Sequence, residues 1–231
     1  MILDKANISN LNLESGDIFA TKGKEPLGWC LRQLIEPPTD RFHFGLVWMP
    51  TDDHQDRVIL ESQGEGTLLE TVVDLFLHLI LRKGAVGQAV CIGRLSFYHG
   101  ADIEFYRPAT IPKKERRQAP AALSAYGRDG YDYDYITKLV LRSIKLWLQI
   151  AVRERRFRRL RVYEIPVVEQ NRALICTVAP DMGYRLIGHM LIPLGTTATP
   201  NAYAQLLKEG VLTKLEEDCN AIHTTGTAPK P

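Results

Sequence analysis

Arg41-Phe42-His43-Phe44-Gly45-Leu46-Val47-Trp48 alternates with a period of two. Successive side chains of an extended strand point to opposite faces, so His43, Gly45 and Val47 share one face and Phe42, Phe44 and Leu46 the other. The aromatics are expected to fill a core and the imidazole to look into a cleft, with open space beside it at Gly45. A second run, residues 57–62, is equally rich in Val, Ile and Leu, and the polar Thr51-Asp52-Asp53-His54-Gln55-Asp56 between them predicts a hairpin loop. Antiparallel pairing of the two runs brings Glu61 within cross-strand reach of His43.

Working outward, Gly16-Asp17-Ile18-Phe19-Ala20-Thr21 reads as a strand entered from a Gly-Asp turn, and further strands are predicted at 67–73, 89–95 and 102–107. Leu27 to Ile35 has helical spacing before Pro37-Pro38 stops it. Later segments change period: helices are predicted over 113–126, 136–159, 176–187 and 201–207. Strands first and helices afterwards indicate an α+β fold, an antiparallel sheet of five or six strands packed with helices. One domain is expected over residues 1–219, with a helical insertion near 136–161 and a mobile tail at 220–231.

At 231 residues and 45% hydrophobic content the chain can bury a substantial core. The net charge of +2 is the small difference between 29 basic and 27 acidic residues, so global electrostatics announces no polyanion partner. The four cysteines form no CxxC pair and the six histidines no HxxxH or HExxH spacing, so no metal and no cofactor are expected. The polar, acidic start MILDKANISNLNLESGD lacks the apolar run of a secretory signal, and no apolar stretch reaches the roughly 20 residues of a membrane span. The expected location is cytoplasmic, or virion-associated if the chain is phage-encoded.

Chemistry enters with Cys176, in Ala173-Leu174-Ile175-Cys176-Thr177-Val178-Ala179, which opens a helical segment. The positive end of a helix dipole favours a thiolate, and an imidazole nearby would favour it further. Glu61 is suited to orient His43 and set its tautomer, the third member of a triad. Without a family in view, a lone cysteine in an apolar stretch is more often buried without chemistry, and His43 is as readily a satisfied core histidine. Cys30, Cys91 and Cys219 have no matched histidine. Asp17 in its turn and the run Tyr131-Asp132-Tyr133-Asp134-Tyr135 are accounted for by turn and helix-entry roles, with Tyr133 a candidate to line the cleft.

The stretches GDIFATK, FHFGLVW, VILESQGEG, IEFYRP, GYDYDY and LICTVAPDMG resemble, in this order, the circularly permuted papain-like group, related to NlpC-type cell-wall amidases and to lecithin–retinol acyltransferases. The resemblance covers about residues 15 to 190. It implies an antiparallel sheet with the cysteine on a helix packed against it, Cys176 as nucleophile, His43 as general base and acid, Glu61 as the orienting residue, and acyl-thioester chemistry on an amide or ester. Gly45, Thr177 and Tyr133 are the candidate substrate-binding residues. The chain departs from the group where an aromatic or acidic residue and a Ser commonly flank the cysteine: here Ile175 precedes it and Thr177 follows.

The leading expectation is therefore a cysteine amidase or peptidase, with a peptidoglycan stem-peptide bond as one substrate. A lipid-directed thiol acyltransferase and a non-catalytic structural or binding component, for instance of a phage virion, are the alternatives. Separately, Lys138 to Arg161 is apolar and helical, and ends in Arg153-Glu154-Arg155-Arg156-Phe157-Arg158-Arg159-Leu160-Arg161. Cations there suit the helix dipole, and they also suit an anionic surface or a protein partner, with Trp147 as an interfacial anchor. No stacking-aromatic pattern accompanies them, so no specific nucleic acid is expected.

Overall fold

The structure, a computed structural model, describes residues 2–3, 11–22, 33–49, 58–63, 88–126, 133–165, 167 and 175–215. Strand β1 (Ile18–Lys22) lies inside a six-stranded antiparallel sheet with β3 (Arg41–Trp48), β4 (Val58–Gln63), β5 (Gln88–Arg94), β6 (Ile103–Pro108) and β8 (Leu212–Leu215), in the order β5-β4-β3-β1-β6-β8. Two short strands, β2 (Ile35–Glu36) and β7 (Leu160–Arg161), pair parallel as a separate ladder. The mixed α+β class and the antiparallel sheet agree with the alternating sequence pattern. β3 and β4 pair as predicted, from Gly45 opposite Glu61 to Trp48 opposite Val58.

Period-two alternation sorts the sheet residues into two cores. Ile18, Ala20, Phe44, Leu46, Leu60 and Tyr106 face a helical layer, where they meet Leu123, Val178, Ala179, Tyr184 and Tyr203. Phe19, Val47, Ile59, Ile103 and Phe105 face the other way, against Leu3, Leu11, Leu13 and Leu95. Among the described residues the helices of this layer are α1 (Lys113–Arg116), α2 (Gln118–Tyr126), α3 (Tyr133–Glu154), α4 (Val178–Leu186) and α5 (Pro200–Lys208). α4 packs on α2 and on β3, and α5 on β8 and β3.

Several boundaries differ from expectation for identifiable reasons. The helix expected over 113–126 divides at Arg117, because a proline at position 120 removes a donor and its ring would clash with the carbonyl four residues earlier, that of Arg116. That carbonyl instead lies against Gly16, where a Cβ would collide with it. α3 stops at Glu154 rather than 159, since Arg155 adopts φ 53°, the left-handed conformation that terminates helices. Ile35, expected at a helix end, is in β2. The strand expected at 67–73, the hairpin loop at 51–56, most of the helix at 27–35, Cys30, Cys219 and the tail at 220–231 lie outside the described residues.

Candidate active site

The β3–β4 pairing carries two of the expected residues to one place. His43 Nε2 lies 2.5 Å from Glu61 Oε2, and Glu61 is buried while the His43 side chain stays 23% exposed. The paired register of β3 with β4 runs no further than Gly45 opposite Glu61, so the start of β3 lies beyond that ladder. Cys176 arrives there from the helical layer: its Sγ donates to the carbonyl of Phe42 at 3.4 Å, and a side-chain hydrogen bond joins it to the His43 ring. With Nε2 engaged by Glu61, Nδ1 is the ring nitrogen left to the thiol.

Cys176 precedes Thr177, the N-cap residue of α4, so its sulfur sits at the positive end of a nine-residue helix. The turn is held from three sides. Thr177 Oγ1 donates to the carbonyl of Ala198 at 3.0 Å, Tyr203 Oη donates to the carbonyl of Thr177 at 2.8 Å, and Val178 and Ala179 N–H both donate to the carbonyl of Ile175. Further along α4, Tyr184 Oη donates to the carbonyl of Gly16 at 2.6 Å, and Asp181 accepts from Arg185 and from the N–H of Ile192. Asp17, next to Gly16, is fully buried and takes a two-pronged contact from Arg107, Nε to Oδ1 at 2.8 Å and Nη2 to Oδ2 at 2.7 Å. The Gly-Asp turn therefore buttresses the helix that follows the cysteine, in keeping with the structural role expected of it.

The electrostatics of the ring follow from these contacts. Burial is the largest influence and disfavours the charged imidazole, but hydrogen bonds and negative charge from Cys176 and Glu61 together outweigh it and push His43 from an ordinary 6.5 up to about 10. An imidazole bonded to a thiol on one side and a buried carboxylate on the other can accept a proton, hold it and return it.

Sequence reading overlooked Tyr98. This residue ends the 3₁₀ helix Leu95–Tyr98, donates its hydroxyl to Glu61 Oε2, and stacks on His43 with ring centroids 6.3 Å apart and planes at 20°. Nothing in Leu95-Ser96-Phe97-Tyr98 has a period that signals such a contact. Two expectations need correction. Gly45 does not leave open space: the Phe19 ring fills it, and a Cβ there would stand 2.5 Å from the carbonyl oxygen of Leu60. Thr177 does not line a cleft, because its hydroxyl is buried and committed to Ala198. Tyr133 begins α3, and its side chain lies outside what the structure describes.

Among the described residues no group of three His, Cys, Asp or Glu side chains is disposed to hold a metal ion, and no helix is long and apolar enough to cross a membrane. A scan of known protein families finds no model that matches the chain, and no curated protein matches it.

Proposed function

We propose that the chain is a cysteine hydrolase, an amidase or peptidase of the permuted papain-like kind, with Cys176 as nucleophile, His43 as acid and base, and Glu61 as the residue that orients it. The observation that carries this reading is the engagement of His43 on both sides, by Cys176 and by Glu61, at the N-terminal end of a helix. A merely satisfied core histidine would have no need of a thiol and a buried carboxylate together.

In the proposed reaction the Cys176 thiolate attacks the carbonyl carbon of an amide, forming the C–S bond and an oxyanion. The backbone N–H of Cys176 is the donor expected to meet that oxyanion. The imidazolium of His43 gives its proton to the departing nitrogen as the C–N bond breaks, leaving an acyl-thioester and a neutral ring. Water then attacks the thioester, passes a proton to His43, and releases a carboxylic acid and the thiolate. Glu61, fixed by Tyr98, keeps Nε2–H directed away from the thiol and stabilises the ring while it is charged. An acyl-amide such as a peptidoglycan stem-peptide bond is the substrate class proposed.

The test is alkylation by iodoacetamide, located by mass spectrometry across a pH series, for the native chain and for His43→Ala. The proposal expects Cys176 to react selectively and well below pH 8, near the free thiol's ordinary range, with much slower reaction in His43→Ala. Slow labelling that the substitution leaves unchanged would overturn it and favour a non-catalytic binding role for the same fold.

A further inference from the structure

Helix α3 presents a face to solvent that the Cys176 site does not use. Leu141, Leu148 and Val152 are 56%, 48% and 79% exposed. At about 3.6 residues per turn they form one row, roughly 16 Å long at 1.5 Å per residue. Arg142, Lys145 and Arg153, all exposed, form a second row beside it, which Lys138 extends towards the N-terminus. The opposite side, with Leu139, Val140, Ser143 and Ala151, is buried. Between Asp134 and Glu154 the sequence contains no carboxylate, so this surface is cationic along its length.

We propose that this face docks on an anionic lipid surface, with α3 lying in the plane of the interface. The occupant is chosen by charge. An exposed apolar row flanked by cations on flexible stems matches a bilayer rim, where leucines enter the acyl boundary and lysine and arginine heads remain among phosphates and carboxylates. A second copy of the chain is a poor match, because antiparallel pairing of two such helices would set one basic row against another with no acid between them. Single-stranded nucleic acid would need a stacking aromatic among these rows, and the aromatic between Lys138 and Glu154, Trp147, is only partly exposed and packs on Phe157 at 5.0 Å. The inference does not depend on the chemistry of Cys176.

The experiment is sedimentation of the full chain with vesicles of phosphatidylcholine containing about 30% phosphatidylserine, and with pure phosphatidylcholine, at low and high salt. Partition onto the anionic vesicles is expected to exceed that onto neutral ones by at least about tenfold, and to fall as salt screens it. Leu148→Glu and Lys145→Glu should each reduce it by about tenfold with the melting temperature unchanged, whereas Lys208→Glu, at the exposed end of α5, should leave it within about twofold. Equal partition onto neutral vesicles, partition onto neither, or parental binding by both α3 variants would overturn the proposal. So would a concentration-dependent dimer that Leu148→Glu abolishes, which would assign the face to a second copy.

Discussion

Gly45→Ala tests how tightly the strand that carries His43 is packed. The added methyl would meet the Phe19 ring, with Cζ at 2.7 Å, and the carbonyl oxygen of Leu60 at 2.5 Å. A ring in a sealed core yields little, and the carbonyl belongs to the β3–β4 ladder, so the strand pair itself must part. Alanine in place of a strand glycine ordinarily gains about 0.5–1 kcal/mol through the unfolded chain. Overpacking against backbone belongs at the upper end of its usual cost, about 3 kcal/mol. The net is a loss of about 2 kcal/mol, or about 4–8 °C in melting temperature for a domain of this size. Differential scanning calorimetry reads that directly. Since Phe19 also packs on His43, ring centroids 6.1 Å apart, Cys176 alkylation should slow in the same variant. Adding Phe19→Leu should recover only part of the stability, because the Leu60 carbonyl remains. A melting temperature equal to or above the parent's would refute the packing account and restore Gly45 as open space for substrate.

Three further outcomes are expected. Tyr98→Phe keeps the ring stack but removes the donor to Glu61, and should slow Cys176 alkylation about fivefold, the kinetic counterpart of one hydrogen bond of about 1 kcal/mol, with little change in melting temperature. His43 binds its proton more tightly folded than unfolded, so the stability this adds is complete below about pH 6.5 and is lost as pH rises through about 10. The difference in urea midpoint between the native chain and His43→Ala should therefore narrow between pH 6 and pH 11, and a constant difference would contradict the raised value. Asp17→Asn leaves Arg107 facing a buried amide where it had a two-pronged carboxylate, which should cost about 4 kcal/mol and lower the melting temperature by about 8–16 °C; calorimetry of the folded variant checks it.

Much of this geometry was legible because β3 and β4 are long, apolar and alternating, and because their register follows from the side each residue must face. Glu61 could be set near His43 from that pattern alone, and Cys176 at a helix start from the change of period after Ile175. What stayed hidden depends on contacts remote in sequence. β8 is a four-residue edge strand whose pairing with Pro108 and Phe105 spans about half the chain. β2 and β7 are two residues each and have no period at all. Tyr98 reaches Glu61 from a 3₁₀ turn, and Thr177 turns inward because Ala198 offers a carbonyl there. Gly45 was misread for a related reason: alternation tells which face a residue occupies, not what fills the space above it.

The distance along the chain between thiol and imidazole has a consequence for synthesis. Cys176 bonds to Phe42 across 134 residues, whereas His43 and Glu61 are 18 apart on neighbouring strands. At about 5–20 residues per second a ribosome takes roughly 7–27 s to make the interval between them. Once Glu61 has followed His43, 18 residues later, the imidazole and carboxylate have both left the peptidyl transferase centre and the cysteine does not yet exist. The thiol meets its partner only where the N-terminal turn of α4 packs on β3, a contact of long sequence separation and so of the slower kind to form. Any reactivity that Cys176 owes to His43 is thus withheld until the cysteine has been made, and its appearance marks β3 and the start of α4 as packed together.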